Sequence, residues 1–276
     1  MMITNWILFH KKIVSELLRK FVIHFRGNKF IRVANTVCFL TGKSIRFQMI
    51  EPNLFTAVDK NDDVKVYFGN EVMGYHIYRD GILNRARSIG KIYFLHKVPF
   101  RKNDCVVDCG ANNGDLKLWF NSNNLEINYE GFEPSPVEFC ALKNNVGSAR
   151  ARNIGLWNTE GNLQFFISSN NGDSSLIEPE KYDKIVDVKT KRLEDVISGP
   201  VRLLKLEAEG AEPEILQGAG RALQQIDYVS VDMGYERGKT CESTTVDCVN
   251  FLLSNGFELI DMSHDRIVGL FKRKKV

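Results

Sequence analysis

From residue 105 onward, short apolar runs alternate with stretches of helical periodicity, and no other feature of the 276-residue sequence constrains the fold as strongly. Such alternation is typical of a parallel sheet with helices on both faces. The predicted strands cover 105–108, 127–132, 149–154, 202–206, 227–232, 257–261 and 266–272. The predicted helices cover 115–122, 135–145, 212–219 and 244–254. The sequence therefore predicts an α/β domain over 105–276.

The last two predicted strands are joined by only four residues, 262–265, which are too few for a helical crossover. These strands must therefore form an antiparallel hairpin. The prediction is five parallel strands closed by a hairpin that makes one edge strand antiparallel. Further β-like pieces at 163–167 and 186–191, with the loop 168–173, either widen the sheet or form a flap beside it.

Residues 1–46 form a basic extension, with nine Lys and Arg against the single acid Glu16, although the net charge of the chain is only +3. Apolar residues recur at helical spacing over 3–25, which predicts an amphipathic helix. This helix either packs on the main domain or, through residues 1–26, contacts an anionic membrane or a partner chain. Residues 272–275 are also basic. The acidic remainder argues against a nucleic-acid partner.

Residues 47–104 contain mixed short elements, and we interpret them as a segment that covers the main sheet. Strand-like pieces at 64–68 and 75–78 accompany a turn at 60–63, and a helix is predicted over 82–95. The six cysteines form no CxxC pair, which favours a reducing, cytoplasmic compartment. No apolar run approaches the roughly 20 residues that a membrane span requires.

A glycine turn follows the first strand of the predicted domain, with Asp108, Gly110, Asn112 and Gly114 in order. Tight turns need glycine where φ is positive or where a side chain would collide with a ligand. Asn112 stands where the dinucleotide pattern G-x-G-x-x-G lets the backbone approach a pyrophosphate. The acid before the turn suits a ligand with a positively charged amine, and S-adenosylmethionine has that amine, a sulfonium and a ribose. The alternative is a plain strand–turn–helix connection.

Residues at the ends of the next two predicted strands also suit the binding of a nucleoside such as S-adenosylmethionine. Glu133 closes the second strand, and its two carboxylate oxygens match the vicinal hydroxyls of a ribose. Taken alone, such a residue is an ordinary solvated strand-end acid. Asn153, Gly155 and Leu156 end the third strand, where contacts with adenine are expected.

The fourth predicted strand carries charged side chains on one side. Lys205, Glu207 and Glu209 alternate with Leu206 and Ala208, which face the other way. Ligands of open α/β sheets bind beyond the carboxyl ends of the strands, so these three charged groups converge on the expected pocket. Two acids at one strand end repel each other unless a cation or a hydroxyl donor is near, which favours a functional role.

The order of these motifs resembles the FkbM-type methyltransferases over about residues 80–262. The motifs are DCGANNG from 108, FEP from 132, NIGL from 153 and LKLEAEGAE from 204. The resemblance implies the class I methyltransferase fold and methyl transfer from S-adenosylmethionine to a hydroxyl, often on a sugar of a polysaccharide, lipid-linked glycan or macrolide. Glu207 stands where the family usually has aspartate, and Arg85 and Tyr93 fall where it commonly has arginine and tyrosine.

The resemblance and the strand-end argument together assign roles to residues. The predicted cofactor-binding residues are Asp108, Gly110, Ala111, Asn112, Gly114, Asp115, Glu133, Pro134, Ser135, Asn153, Gly155 and Leu156. The predicted catalytic residues are Glu207, Glu209 and Lys205, with a carboxylate, or less favourably His264, taking the proton of the acceptor hydroxyl. The predicted substrate contacts are Arg85, Ser174, Ser175, Glu212, Asp232 and Tyr235. A divalent metal held by the acids is compatible with this scheme and is not demanded by it.

Two roles of Glu212 and two functions of the whole chain stay open at this point. Glu212 also suits the N-terminus of the predicted helix 212–219. The leading function is an O-methyltransferase acting on a sugar or glycan, and the alternative is a non-catalytic membrane-associated scaffold with a vestigial nucleoside pocket. The glycine turn and the strand-end acids favour the enzyme, while Asn112 disfavours a nicotinamide dehydrogenase. The expected location is cytoplasmic or peripheral at the inner membrane face, and the oligomeric state is open.

Overall fold

The computed structural model describes Leu18 and residues 20–168, 174–263 and 266–274. The chain divides into two compact units, Met1–Arg85 and Ala86–Val276, whereas the sequence suggested boundaries after residues 46 and 104. Most of the predicted helix over 3–25 lies outside the described residues, and the described part is helical as far as residue 22. None of the described helices is long and apolar enough to cross a membrane.

The first unit packs helix α1 (Gly27–Leu40) and helix α2 (Glu71–Tyr78) with an antiparallel sheet. Its strands are β1 (Ile45–Glu51), β2 (Leu54–Asp59) and β3 (Val64–Phe68), paired in chain order. Helix α3 (Ile82–Ile92) crosses the boundary between the units.

The predicted strand at 75–78 is wrong, because these residues end helix α2. The Asn70 side chain accepts hydrogen bonds from the amides of Val72 and Met73 at 3.0 Å each, which starts the helix. Tyr75 and Tyr78 lie three residues apart and are both buried, as expected for residues on one face of a helix. In so short a run, the pattern of aromatic residues alone does not distinguish a helix from a strand.

The second unit contains the predicted alternation. Its strands are β4 (Cys105–Cys109), β5 (Asn128–Phe132), β6 (Ala151–Arg152), β7 (Gly155–Leu156), β8 (Gly161–Ile167), β9 (Lys184–Lys191), β10 (Val201–Leu206), β11 (Ile226–Asp232), β12 (Tyr235–Arg237), β13 (Glu242–Ser243), β14 (Phe257–Met262) and β15 (Val268–Arg273). Its helices are α4 (Asp115–Ser122), α5 (Pro136–Val146), α6 (Leu193–Val196), α7 (Glu212–Gln217) and α8 (Thr245–Ser254), with short 3-10 helices at Leu95–Lys97 and Gly220–Gln225.

Within the described residues, seven of these strands form one sheet in the order β14-β15-β11-β10-β4-β5-β6. Five strands from β6 to β11 are parallel, and β15 is antiparallel to both β11 and β14. The predicted hairpin is therefore confirmed. The antiparallel strand is not at the edge, however, because β15 inserts beside β11 and leaves β14 outermost. This is the topology of a class I methyltransferase fold.

The third predicted strand, 149–154, is wrong in length. Only Ala151–Arg152 pairs with β5, and β7 leaves for a second sheet with the order β7-β9-β8. Where the pairing ends, the Asn153 side chain donates to the carbonyls of Glu133 and Pro134 at 2.9 and 3.0 Å, which ties the departing chain to the segment after β5. The β-like pieces at 163–167 and 186–191 therefore do not widen the main sheet. They form a separate small sheet, which we call the flap, as the second of the two predicted alternatives.

The main sheet is covered by apolar side chains on both faces. Val107 and Leu204 belong to one buried cluster, while their strand neighbours Val106 and Leu203 belong to another. Successive side chains of a strand point to opposite faces, so the two clusters lie on opposite sides of the sheet. This double burial leaves the carboxyl ends of the strands as the place where polar side chains gather.

Candidate active site

The glycine turn after β4 is held against two neighbouring strand ends. The amides of Gly110 and Ala111 both donate to the Phe132 carbonyl, at 3.1 and 3.0 Å. Gly110 has φ +68°, and a Cβ built on it would lie 1.7 Å from the carbonyl oxygen of Glu207. Asn112 also has a positive φ, of +49°. Glycine is therefore required at 110 for both conformation and space.

The second glycine of the turn leads into helix α4. Gly114 has φ +85°, and its Cβ would lie 2.9 Å from a methyl group of Leu142. Asp115 opens the helix and is buried there, where a carboxylate complements the positive end of the helix dipole. The turn thus passes between β10 on one side and helix α5 on the other.

Glu133 is buried at the end of β5 and joins the glycine turn to helix α5. Its carboxylate accepts from the amides of Asn112 and Ser135, at 2.8 Å each. Burial, followed by the charge of Glu138, raises the pKa of Glu133 to about 8, while the two amides oppose the rise. Each carboxylate oxygen retains a lone pair for a further donor such as a ribose hydroxyl.

Other predicted cofactor contacts surround Glu133. Ser135 is buried, and its hydroxyl contacts Glu138. Asn153 fixes the carbonyls of Glu133 and Pro134, as described above. Gly155 and Leu156 are buried at the start of the flap.

Asp108 and Lys205 form a buried ion pair on neighbouring strands. The Lys205 ammonium lies 3.0 Å from a carboxylate oxygen of Asp108, and the Tyr129 hydroxyl donates to the other at 2.6 Å. Lys205 also donates to the carbonyls of Cys109 and Gly110 at 3.2 and 2.8 Å. Burial alone would lower the pKa of Lys205, but the charges of Asp108 and Glu207 outweigh it and raise the pKa. Lys205 is therefore a fixed cation that holds the turn, and it is unsuited to accept a proton.

Glu207 follows β10 and lies between two cations. Its carboxylate is 3.3 Å from the Lys205 ammonium and 2.6 Å from the guanidinium of Arg266. The buried Tyr93 hydroxyl also hydrogen-bonds Glu207, and burial and that carboxylate raise the pKa of Tyr93. Arg266 precedes β15, so the C-terminal hairpin supplies one of the two cations.

Asp232 and Glu236 complete this group at the end of β11. The Arg266 Nε donates to Asp232 at 2.6 Å, and the Gly234 amide donates to the other oxygen at 3.2 Å. Glu236 lies 3.8 Å from the same guanidinium. We call Glu207, Asp232, Glu236 and Arg266 the arginine cluster. Burial keeps the pKa of Asp232 raised, although Arg266 opposes the rise.

Glu209, Ser174 and Ser175 lie where the flap approaches β10. Glu209 has φ +50°, and its carbonyl accepts from the Ser175 hydroxyl at 2.8 Å. The Ser174 hydroxyl accepts from the Ser168 amide at 3.0 Å. Both serines therefore hold the flap, and their predicted contact with a substrate stays a prediction.

Glu212 is buried and stabilises the loop before helix α7. Its carboxylate accepts from the amides of Ala208 and Gly210 at 2.7 and 3.3 Å, and from the Thr244 hydroxyl at 3.3 Å. Burial raises the pKa of Glu212 to about 7, while these amides oppose the rise. The geometry favours the stabilising alternative over a substrate contact.

The remaining predicted substrate residues are separated. Tyr235 is 69% exposed on the β12–β13 hairpin. Arg85 belongs to the first compact unit, on helix α3. His264 lies outside the described residues. The structure thus groups Lys205, Glu207 and Asp232, and leaves roles for Tyr235 and Arg85 as predictions.

Sequence reasoning missed three members of this polar group, namely Tyr129, Glu236 and Arg266. Arg266 had a usable signal: an antiparallel pairing of the last strand with β11 places it near Asp232, and Asp232 does pair with Val268. Tyr129 lies in a strand, where an aromatic residue normally indicates packing alone. Glu236 lies in β12, which pairs with β13 in a short hairpin after β11. No sequence pattern had predicted this hairpin.

The donor set fits the implied cofactor. Among the described residues at these strand ends, carboxyl groups outnumber cations even when Glu133, with its raised pKa, is counted as neutral, and this balance suits a ligand with a sulfonium and an ammonium group. The carboxylates are Asp108, Glu133, Glu207, Asp232 and Glu236, and the cations are Lys205 and Arg266. Within the described part of the chain, no group of three or more His, Cys, Asp or Glu has an arrangement that could hold a metal ion.

Comparison with known proteins agrees with the resemblance in the motifs. The family "Methyltransferase FkbM domain" matches residues 108–259, more than half of the chain. Methyltransferase 1 of Beauveria bassiana (strain ARSEF 2860) is 26% identical over 207 residues, covering 60% of this chain and 81% of that protein. The 31-O-demethyl-FK506 methyltransferase FkbM of Streptomyces tacrolimicus is 34% identical over 70 residues, covering 25% of each.

Among solved structures, the methyltransferase FkbM from Methylobacillus flagellatus KT aligns with a TM-score of 0.48 at 17% identity. The alignment covers 73% of this chain and about half, 53%, of that one. The family match decides the question of enzyme against scaffold in favour of the enzyme. The chain belongs to the FkbM methyltransferase family and is an S-adenosylmethionine-dependent methyltransferase of the class I fold.

Proposed function

We propose that this methyltransferase methylates a hydroxyl group of a sugar, carried by a glycan, a lipid-linked glycan or a sugar-containing metabolite. The observation that carries the proposal is the arginine cluster beside the glycine turn, because methyl transfer to a hydroxyl requires a group that accepts its proton. One relative supports oxygen as the acceptor atom, since its name specifies a 31-O-demethyl substrate.

The chain's own residues would perform three tasks. The Glu133 carboxylate would accept hydrogen bonds from ribose hydroxyls, and the glycine turn would let the nucleoside approach the backbone. S-Adenosylmethionine supplies an electrophilic methyl group when it is bound. The carboxylates of the arginine cluster would orient the acceptor hydroxyl, and one of them would receive its proton; this positioning contributes much of the rate.

The test begins with binding and then asks for chemistry. We expect calorimetry to detect binding of S-adenosylhomocysteine, and Glu133→Ala to weaken it at least tenfold. Wild-type protein should then transfer tritiated methyl groups from S-adenosylmethionine to members of a panel of nucleotide sugars, oligosaccharides and lipid-linked glycans, as alkali-stable ethers. Binding without labelling of any sugar acceptor would contradict the acceptor proposal alone, and absence of binding would contradict the cofactor site.

We also propose that residues 1–26 contact an anionic membrane surface, on the cytoplasmic side of the membrane. The basic composition of the segment supports this, and at its described end the exposed Phe21 ring lies 5.1 Å from the Phe25 ring. Aromatic and basic side chains together are typical of helices that bind at the lipid interface.

A further inference from the structure

The arginine cluster holds more negative charge than its cation can neutralise, and its three carboxylates are not equivalent. The guanidinium of Arg266 lies 2.6 Å from Glu207 and 2.6 Å from Asp232, but 3.8 Å from Glu236. We infer that Glu236, and not either of its two neighbours, is the catalytic residue that takes the proton of the acceptor hydroxyl. This inference rests on the proposed function, since it names the base of that same reaction.

Glu207 is the less suitable base because its charge is already neutralised. It contacts the Lys205 ammonium at 3.3 Å and the Arg266 guanidinium at 2.6 Å, and it also hydrogen-bonds the buried Tyr93 hydroxyl. Opposite charges at such distances stabilise the ionised form of a carboxylate, so accepting a proton costs free energy. Glu207 is therefore a positioning residue that fixes Arg266 and Tyr93.

Asp232 and Glu209 are less accessible. The Asp232 side chain is fully buried, and both of its oxygens accept hydrogen bonds, from Arg266 and from the Gly234 amide. One carboxylate oxygen of Glu209 is buried, and its carbonyl is tied to Ser175 in the flap. An acceptor hydroxyl could not reach the Asp232 carboxylate without displacing Arg266 or the Gly234 amide.

Glu236 combines access with basicity. Its side chain is 30% exposed on β12, the first strand of the hairpin that follows β11. Burial, then the charges of Asp232 and Glu207, raise its pKa to about 7, with Glu212 acting in the same direction and Arg266 against it. A base whose pKa lies near the working pH combines a substantial ionised fraction with a strong tendency to take a proton.

The step balances with groups already named. A lone pair of the acceptor oxygen forms a bond to the methyl carbon while the carbon–sulfur bond breaks. The electron pair of the broken carbon–sulfur bond stays on sulfur. The sulfonium becomes a neutral thioether. The hydroxyl proton moves to the Glu236 carboxylate, which returns it to solvent through its exposed side.

The experiment compares wild type, Glu236→Gln, Glu207→Gln and a control, Glu258→Gln, whose side chain is exposed on β14. The acceptor is whichever sugar of the panel above the wild type labels. We measure kcat between pH 5.5 and 9.5 at saturating cofactor, so that protonation of Glu133 in the free enzyme does not enter. We expect the wild-type kcat to rise with pH through a midpoint near 7. Glu236→Gln should lower kcat by about 100- to 1000-fold and remove this limb.

Two further measurements distinguish loss of the catalytic base in Glu236→Gln from misfolding of the variant. S-Adenosylhomocysteine affinity should stay within twofold in Glu236→Gln. Of the two glutamate side-chain carbons expected to titrate near pH 7 in the NMR spectrum, those of Glu212 and Glu236, one should vanish and the other should remain. Glu258→Gln should behave like wild type. The inference would be overturned if Glu236→Gln kept nearly full kcat and the same rise of kcat with pH. It would also be overturned if this rise were lost in Glu207→Gln and kept in Glu236→Gln. If the wild type labels no sugar, the proposed function fails and the inference fails with it.

Discussion

At the scale of single residues, the most consequential contact is the buried pair of Asp108 and Lys205. Their side chains are 1% and 4% exposed, and the pair also holds two carbonyls of the glycine turn. Charges taken out of water are tolerated only when each has partners, so loss of one partner leaves the other uncompensated. Lys205 thus contributes to the site by fixing the backbone of the turn.

Replacing Lys205 by methionine should therefore destabilise the protein by about 3–5 kcal/mol, because Asp108 would remain buried without its cation. The double variant Lys205→Met with Asp108→Asn should recover part of that loss. Lys102→Met is the matched control, since its ion pair with Glu126 joins side chains that are 69% and 71% exposed, and solvent-exposed pairs contribute little to stability. Urea denaturation measures all three. Equal losses for Lys205→Met and Lys102→Met would contradict the structural role of the buried pair.

The sequence predicted which side chains point towards the site where the alternation of a strand determines their direction. It did not predict contacts with partners from distant elements. A period of two predicts that Lys205, in β10, and Glu207, directly after it, point to the same side, and their side chains do lie within ion-pair distance. The burial of Asp108 was not predictable, because Tyr129 and Lys205 reach it from two other strands. Its predicted contact with a cofactor amine stays a prediction.

At the scale of elements, the glycine turn and the end of β10 are packed too closely for any side chain at position 110. The obstacle is backbone, since the nearest atom to a built Cβ is the Glu207 carbonyl oxygen. Backbone cannot move aside as a flexible side chain can, so a substitution must shift the turn or the strand.

Gly110→Ala should consequently weaken S-adenosylhomocysteine binding by more than about 100-fold, or prevent folding of the second unit. Gly199→Ala is the control, because Gly199 also has a positive φ, of +85°, but has nothing within 4 Å of its built Cβ. It should cost only about 1 kcal/mol of stability from backbone strain, and leave affinity within twofold. Calorimetry and circular dichroism distinguish these outcomes. Normal binding in Gly110→Ala would show that the turn does not lie against β10 as described.

Elements with strong periodicity were predicted well, and short ones were not. Helix α4 has the predicted bounds, Asp115–Ser122, and β10 differs from its prediction by one residue. The strand predicted at 75–78 is a helix because the Asn70 cap outweighs the aromatic pattern. The third strand stops after two residues, and there the Asn153 side chain donates to the carbonyls of Glu133 and Pro134, a tertiary contact that no local pattern contains.

At the scale of the whole molecule, charge is distributed unevenly along the chain. Nine basic residues and one acid lie in the first 46 residues, although the net charge is +3. Such a distribution was readable from the sequence, whereas the division into units after Arg85 was not. Helix α3 crosses that division, and a continuous helix gives no sign of a boundary in its sequence.

Deleting residues 1–26 should abolish binding to vesicles that contain anionic lipid and leave S-adenosylhomocysteine affinity unchanged. The reason is that each basic residue near an anionic surface contributes about 1 kcal/mol, whereas the residues assigned to the nucleoside site lie between 108 and 156. Co-sedimentation with vesicles at two salt concentrations measures the first effect, and calorimetry the second. Neutral vesicles are the control. Retained binding to anionic vesicles after the deletion would contradict the membrane proposal.

The position of β15 between β11 and β14 has a consequence for biosynthesis. This strand leaves the ribosome after the other six strands of the sheet. A nascent chain that stops before residue 266 therefore has a gap in its ladder, and Glu207 and Asp232 lack their shared guanidinium. The group of charged residues at the methyl-transfer site is thus completed only after Arg266 and β15 have been synthesised.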